Sequence, residues 1–286
     1  MTTYTSILRK AKSNSKMLIQ ICKKHLEYLK SLKLNELTAL AIYVKGGLMH
    51  FKYSAYTTRT LETTSILNGL RKYLEQIIKS APPLDKKIHV FRGTIVNQNR
   101  RLYKGEIISD YPVSSTTMYH PTAIEWAIER LFQEIHVTKG TKNFERTINL
   151  FVYEIPKGSQ ISLCIGCHNL ICGKNKMNFI QNSVLRKLKN QITTQGEVII
   201  SHPYWRITNI DTLTIGDITN VNQYGKGWYS NIFQGKVPAG FQFNVVHLSF
   251  VSEEKFISHV SSKHSLNYIK NEDIPNKKYW GNFKKT

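Results

Sequence analysis

The sequence predicts an α+β fold in which helices come first and strands follow. Before Ala81-Pro82-Pro83-Leu84 the apolar residues recur at helical spacing, and after it short β-branched runs alternate with turns. The chain of 286 residues, 41% of them hydrophobic, is long enough to bury a sizeable core. The change of pattern at the two prolines marks the end of the helical part.

Three amino-terminal segments are predicted to be helical. From Ser6 to Leu34 apolar residues recur every three or four positions with lysines between them, which indicates a basic amphipathic helix. Its polar face could meet an anion or a membrane, but packing one face on the core is the commoner use of such a helix. Further helices are predicted from Asn35 to Tyr43, with a cap at Asn35, and from Leu61 to Lys79. Two later helices are expected at Pro121 to Phe132 and Gln181 to Leu188.

The strands are predicted from short apolar runs that turn residues separate. They are expected at Lys87 to Thr94, Gly105 to Ile108, Tyr111 to Thr117, Ile148 to Ile155, Gly196 to Ile200, Trp205 to Ile210 and Phe243 to Phe250. The resulting organisation is a helical amino-terminal lobe at residues 1–84, a β core at 85–251 and a basic carboxy-terminal tail at 252–286. The lobe and the core are expected to form one domain over about 34–251.

The net charge of the chain indicates which classes of partner it could bind. There are 40 Lys and Arg against 19 Asp and Glu, a formal net charge of +21. Such a field favours nucleic acid, nucleotides, acidic proteins or anionic membranes without choosing among them. In the tail, aromatics between lysines could stack on bases, or could tuck onto the domain.

The expected location is intracellular. No apolar run approaches the roughly 20 residues that span a bilayer, so no membrane span is predicted. The four cysteines are not spaced as an extracellular disulfide framework, which indicates a reducing compartment. We expect a soluble cytoplasmic protein, acting in the host cytoplasm if it is a viral or effector protein.

The run from Cys164 to Cys172 has the pattern Cys-x-x-Cys-His-x-x-x-Cys, with enough ligands for zinc. No second Cys pair follows, and the adjacent Cys167 and His168 seldom both reach one ion. Cys-x-x-Cys-His also matches covalent haem attachment, which nothing else in the sequence supports. We expect cysteines that are buried or merely reduced, and no metal.

Three polar elements lie on or beside predicted strands. Arg92-Gly93 suits a diphosphate, because guanidinium offers phosphate a planar fork and a residue without Cβ lets a ligand approach the backbone. Ser115-Thr116-Thr117 places hydroxyls on both faces of a strand, and Gln195 and Glu197 share a face by period-two alternation. Each element alone is weak, since an Arg at a strand end is commonly a surface charge and hydroxyls in strands are common.

Together and in this order, the elements resemble the Arg, Ser-Thr-Ser and Gln/Glu-x-Glu motifs of the toxin-type mono-ADP-ribosyltransferases, the ADP-ribosyltransferase exoenzyme family. The flanking sequence resembles that family as well, at 65–71, 78–82 and 150–159. The resemblance covers about 34–251 and implies the ADP-ribosyltransferase fold, a mixed β core of two packed sheets with a helical amino-terminal lobe. It implies NAD as the substrate and no metal.

The resemblance also assigns roles to residues. Glu197 would accept a hydrogen bond from the ribose 2′-OH of NAD and offset positive charge at the reacting carbon. Arg92, with Gly93, would hold the phosphates, and Ser115, or Ser114 if the register slips by one, would brace the pocket and Glu197. The family also stacks an aromatic on nicotinamide, and Trp126 lies at about the right distance in the sequence, although helical spacing would equally place it in the core. Thr116, the middle residue of Ser115-Thr116-Thr117, would also contribute to NAD binding.

Two departures from the family pattern bear on the acceptor of ADP-ribose. Ser-Thr-Thr replaces Ser-Thr-Ser, which keeps every hydroxyl, and Gln195 stands where arginine-modifying members carry Glu. An amide can align an acceptor but cannot pair with a guanidinium or act as a base. The sequence therefore predicts that the acceptor is a protein or a nucleic acid and that the modified group is not an arginine side chain. The alternative is a basic nucleic-acid-binding or virion structural protein with an inactive transferase fold.

Overall fold

The computed structural model describes part of the chain, and the fold below refers to that part. The described residues are 21, 24–43, 61–97, 102–109, 113–118, 120, 122–128, 146–165, 197–202, 204–214, 242–252 and 255. They include both amino-terminal helices that the sequence predicts after residue 34, and all or part of each of the seven predicted strands. The expected helix at Gln181 to Leu188 and nearly all of the basic tail lie outside them.

Eight strands form one mixed sheet, as expected of an α+β protein with a mixed β core. In the order of the sheet they run β2-β7-β8-β4-β1-β3-β6-β5. Their bounds are β1 Ile88–Asn97, β2 Ile107–Ser109, β3 Ser114–Thr117, β4 Arg146–Ile155, β5 Ser162–Cys164, β6 Glu197–Ile200, β7 Tyr204–Thr214 and β8 Gln242–Phe250. Strands β4 and β8 are parallel, and the other neighbouring pairs are antiparallel.

Strand β1 pairs extensively with its neighbour on one side of the sheet and only briefly with β3 on the other. Strand β1 pairs with β4 along its whole length, from Ile88↔Ile155 to Asn97↔Arg146. It meets β3 through the single register pair Phe91↔Thr117. The hydrogen bonding therefore divides the sheet into a five-stranded part and a three-stranded part, β3, β6 and β5. Two packed sheets remain a prediction from the sequence.

One apolar cluster takes side chains from both parts of the sheet. Val90 and Trp205, from the five-stranded part, and Val198 and Ile200, from the three-stranded part, belong to it and are at most 1% exposed. The ring of Tyr153 meets Trp205 edge to face, with centroids 4.8 Å apart. Burial of this shared face fixes the position of β6. Strand β3 lies between β1 and β6 and pairs with both.

The helices keep close to their predicted bounds. Helix α1 is Leu34–Ile42 and helix α2 is Leu61–Lys79, as predicted for the second. The long predicted helix from Ser6 to Leu34 is correct for 24–31, but it does not continue into α1. Lys33, not Asn35, is the N-cap residue of α1, and its backbone N–H donates to the carboxylate of Glu36 at 2.7 Å. Residues 122–128 are helical, within the predicted range that starts at Pro121.

The amino-terminal helices pack on the three-stranded part of the sheet. Leu40 of α1 and Ile78 of α2 share a buried cluster with Leu163 of β5 and Ile199 of β6. The loop that ends at Leu84 is tied to the turn after β4, because Gly158 donates its N–H to the carbonyl of Leu84 at 2.8 Å. The division into residues 1–84, 85–251 and 252–286 remains a prediction from the sequence.

Strand β5 was not predicted. It consists of Ser162–Cys164, which is too short for an alternation to show, and its last residue is the first cysteine of the run from Cys164 to Cys172. The strand predicted at Tyr111 to Thr117 begins at Ser114, and the one predicted at Trp205 to Ile210 extends to Thr214. Within the described residues, no helix is long and apolar enough to cross a membrane.

Candidate active site

The register of β3 and β6 brings a hydroxyl to a carboxylate. Thr117 lies opposite Glu197 and Ser115 lies opposite Ile199, so by period-two alternation Ser115 and Glu197 point to the same face. Ser115 donates a hydrogen bond from Oγ to Oε1 of Glu197 at 2.6 Å. The sequence suggested Ser115 or, with a register slip, Ser114 beside this carboxylate, and the bond is made by Ser115.

The neighbouring serine holds a cation. Arg92 of β1, 8% exposed, donates a hydrogen bond from Nη1 to Oγ of Ser114 at 2.8 Å. Because successive side chains of a strand point to opposite faces, Ser114 and Ser115 serve different partners. Two adjacent residues of a four-residue strand thus position an arginine and a glutamate that are far apart in the sequence.

The carboxylate of Glu197 is partly buried. Burial raises the pKa of Glu197 above its ordinary value, the hydrogen bond from Ser115 lowers it, and the nearby Cys164 raises it further. The net effect is a raised pKa. A carboxylate with part of its hydration removed interacts more strongly with a developing positive charge than a fully hydrated one does.

Thr116 joins the two strands instead of facing the carboxylate. It is fully buried, and its Oγ1 donates to the backbone carbonyl of Val198 at 2.6 Å. This bond adds a side-chain link to the β3–β6 ladder and helps fix the register that places Ser115 beside Glu197. The hydroxyl therefore has a structural partner that the sequence did not indicate, and ligand binding by Thr116 stays a prediction.

Gly93 allows a helix to approach the sheet. A Cβ at this position would overlap the backbone carbonyl of Ala123 and lie 2.8 Å from Cβ of Ala127. Both alanines are fully buried on the helical segment 122–128. The missing side chain is explained by helix packing, so the interpretation that it admits a ligand finds no support in this geometry.

Trp126 lies on the same helical segment, in a half-buried position outside the fully buried core. The predicted helix is confirmed for residues 122–128. Ala123 and Ala127 lie on the side of this helix that packs against Gly93 of β1. A partly exposed ring at this point has a surface that a ligand could reach. Stacking of Trp126 on nicotinamide stays a prediction.

Some predicted site residues cannot be compared with the structure. Gln195 lies outside the described residues, as do Cys167, His168 and Cys172. Cys164 is described and is buried. In the part of the chain that the structure covers, no three His, Cys, Asp or Glu side chains are grouped so that they could hold a metal ion. The expected absence of metal stays a prediction.

One residue near this site was not singled out from the sequence. His25, on the helical segment 24–31, accepts a hydrogen bond at Nδ1 from the backbone N–H of Cys164 at 2.8 Å. Cys164 pairs with Val198, the residue after Glu197. A lone histidine on a basic amphipathic helix carries no signal of such a contact, which spans 139 residues of sequence.

No protein-family model and no curated protein sequence matches the chain. Similar solved structures include Vis toxin, an ADP-ribosyltransferase from Vibrio splendidus, with 13% identity, 86% of each chain covered and a TM-score of 0.47. BECa, an ADP-ribosylating toxin of a C. perfringens binary enterotoxin solved with NADH, has 15% identity over 80% of this chain and 46% of its own, with a TM-score of 0.46. Plx2a, an ADP-ribosyltransferase toxin from Paenibacillus larvae, has 14% identity over 85% and 96%, with a TM-score of 0.45. Likenesses this distant do not establish a family or an activity, and no residue role is taken from them.

Proposed function

We propose that the protein is a mono-ADP-ribosyltransferase, which cleaves NAD at the bond between nicotinamide and ribose and transfers ADP-ribose to a macromolecule. The observation that carries the proposal is the pair of hydrogen bonds made by β3, from Ser115 to Glu197 at 2.6 Å and from Arg92 to Ser114 at 2.8 Å. Both bonds join residues that the sequence motifs single out, and both are made by β3.

The reaction requires one carboxylate. Cleavage of the nicotinamide–ribose bond passes through an oxocarbenium-like centre, as in glycoside hydrolysis, but the nicotinamide of NAD is cationic and leaves as a neutral molecule. No general acid is needed for that departure. In its ionised form, Glu197 would accept a hydrogen bond from the ribose 2′-OH and stabilise the positive charge that develops on the sugar.

The remaining residues would position NAD and the carboxylate. Ser115 holds one oxygen of Glu197 and leaves the other to face the substrate. Arg92 would hold the pyrophosphate, because guanidinium matches phosphate oxygens with paired donors, and Ser114 orients that guanidinium. Trp126 would stack on nicotinamide, and Gln195 would align the acceptor.

The acceptor is proposed to be a protein or a nucleic acid, modified at a group other than arginine. Gln195 supplies hydrogen bonds but no charge that would pair with a guanidinium. The net charge of +21 would attract either an acidic protein surface or a phosphate backbone. The protein would meet this acceptor in the cytoplasm of the cell in which it acts.

The experiment is incubation of the pure protein with NAD labelled in its adenosine part and a cell lysate. Half of the product is treated with nuclease and half with protease, and label is counted in the remaining macromolecules. Glu197→Gln removes the charge with little change of shape and should abolish labelling. Glu154→Gln is the matched control, since Glu154 is also a strand glutamate but pairs with Lys87 at 3.2 Å.

Each outcome decides a point. Loss of label with nuclease identifies a nucleic-acid acceptor, and loss with protease identifies a protein. If the wild-type protein neither consumes NAD nor transfers label, the transferase proposal is wrong. The basic protein with an inactive fold then replaces it, and salt-dependent nucleic-acid binding that survives Glu197→Gln and Arg92→Ala would support that reading.

A further inference from the structure

His25 makes two hydrogen bonds that fix the protonation state of its ring. Its side chain is 1% exposed, Nδ1 receives the N–H of Cys164 at 2.8 Å, and Nε2 lies 3.1 Å from the carbonyl oxygen of Pro82. A carbonyl only accepts, so Nε2 must carry the proton, and a nitrogen that accepts from an N–H must carry none. Both contacts are therefore satisfied together by a neutral ring, and by one of its two tautomers.

The amide that donates to His25 belongs to β5, the strand that pairs with β6, which begins at Glu197. Strand β5 has three residues, lies at the edge of the sheet and pairs only with β6 in the described sheet. Directly after it, Ile165 donates its backbone N–H to the backbone carbonyl of Glu197 at 3.0 Å. A short edge strand has few ladder bonds to hold it, so an additional bond from a helix contributes a large share of its fixation.

We propose that His25 is a positioning residue for Glu197, acting through the backbone of Cys164 and Ile165. In this role the helical segment 24–31 clamps β5, and β5 holds the first residue of β6, whose side chain points at Ser115. The inference rests on the proposed function, because it assigns Glu197 the part of the carboxylate in NAD cleavage. It concerns a contact between an amino-terminal helix and the site that none of the motifs includes.

The clamp depends on pH. Protonation would place a second N–H at Nδ1, directly against the N–H of Cys164, and would break the contact. The groups that bear on the ring are the Cys164 thiol from β5, the Pro82 carbonyl from the loop, and Lys24 from its own segment, whose Nζ is held by Asp85 at 2.6 Å. Burial is the largest influence and lowers the pKa of His25 below 6.5. The clamp is therefore intact at pH 6.5 and is lost as the pH falls through that lowered pKa.

Two substitutions at His25 separate its two bonds. In His25→Asn the side-chain oxygen lies near the position of Nδ1, so it can still accept from Cys164 but cannot be protonated. In His25→Gln the amide reaches the position of Nε2 and keeps the bond to Pro82 only. We expect His25→Gln to lower kcat for NAD cleavage roughly tenfold with little change in KM, because a displaced carboxylate affects the transition state and not NAD binding. His25→Asn should stay within about threefold of the wild type at neutral pH.

The pH profile gives the second readout. In the wild type, the fall of kcat at acid pH, the acid limb of the profile, reports protonation of both Glu197 and His25. In His25→Asn it reports protonation of Glu197 alone, so kcat should fall less steeply with decreasing pH in the variant. Tyr28→Phe is the matched control, because it keeps the ring and removes a 2.7 Å bond from the same helical segment to the carbonyl of Ile77, a bond that does not involve β5. It should change neither kcat nor the shape of the limb.

Hydrogen exchange of the Ile165 amide provides a test that does not require activity. We expect faster exchange in His25→Gln than in Tyr28→Phe at equal global stability. Identical acid limbs in the wild type and His25→Asn, or equal effects of His25→Gln and Tyr28→Phe on kcat and exchange, would overturn the proposal. A wild type that does not cleave NAD would overturn the proposed function, and the clamp itself would then be decided by the exchange rates.

Discussion

Ser115 and Glu197 are 82 residues apart in the sequence and meet through a hydrogen bond of 2.6 Å. The length is typical of a hydroxyl that donates to an ionised carboxylate, the stronger class of hydrogen bond. The bond opposes the effect of burial, which raises the pKa of Glu197. The pKa of Glu197 therefore depends on Ser115, which it contacts across the β3–β6 ladder.

Ser115→Ala should reduce NAD cleavage by raising the pKa of Glu197 further. Without the donor, the buried carboxylate loses the contact that favours its charged form, and it also loses its orientation. We expect kcat to fall roughly 10- to 100-fold and the acid limb of the pH profile to move to higher pH. Rates measured across the acid limb in both proteins check the two effects together.

The matched control for Ser115→Ala is Thr116→Val, which deletes the neighbouring hydroxyl. That hydroxyl donates to a backbone carbonyl, so its loss should cost about 1–3 kcal/mol of unfolding free energy and leave the acid limb in place. An acid limb that moves equally in Thr116→Val and Ser115→Ala would show that the shift comes from general loosening of β3.

Arg92→Lys should weaken NAD binding more than catalysis. Lysine keeps the charge but loses the planar fork and reaches Ser114 with a different geometry. We expect KM for NAD to rise roughly tenfold or more with a smaller effect on kcat. Ser114→Ala, which leaves the guanidinium but removes the group that orients it, should act in the same direction and more weakly. A fall in kcat at unchanged KM would contradict phosphate binding by Arg92.

Gly93→Ala should destabilise the fold. The added methyl group would overlap the carbonyl of Ala123, so the helical segment 122–128 must move away from β1. We expect a loss of about 3 kcal/mol or more in the free energy of unfolding, measured by urea denaturation. NAD binding should weaken only as far as the helix shift displaces Arg92 or Trp126.

Gly69→Ala on α2 is the control for Gly93→Ala. A Cβ at Gly69 meets nothing within 4 Å, and alanine is the better helix former, so a gain of roughly 0.5–1 kcal/mol is expected. If both variants were equally stable, the close approach of the helix to β1 would be wrong.

The sequence predicted the order of helices and strands because periodicity is a local property. Helix α2 and strand β6 show it well, since the apolar spacing of the first and the β-branched residues of the second are each sufficient. Strand β5 was missed because three residues cannot display an alternation, and its stability comes from pairing with β6. The break between 24–31 and α1 was missed because lysines and leucines continue through it.

The candidate site was predictable only in part, for a similar reason. Arg92, Ser115 and Glu197 were singled out because each lies in a motif. The register of β3 and β6 places Ser115 beside Glu197, and Arg92 bonds to the neighbouring Ser114. The packing role of Gly93 and the contact of His25 with Cys164 depend on which elements meet in space. No pattern along the chain encodes such a meeting, because the partners are separated by tens of residues or more.

His120 should make the fold sensitive to acid. Its ring is 1% exposed and meets Phe91 edge to face at 5.6 Å, and burial lowers its pKa to about 4. Below its unfolded value of 6.5 the unfolded chain takes up a proton that the folded chain does not, so stability is complete above pH 6.5 and falls by about 3 kcal/mol as the pH approaches 4. Glu197 acts in the opposite direction, because its raised pKa lets the folded state gain a proton first. Urea unfolding across this range should show a smaller pH dependence in His120→Phe than in the wild type, whatever the intrinsic effect of the substitution. A wild-type His120 ring that titrates near 6.5 by NMR would contradict the prediction.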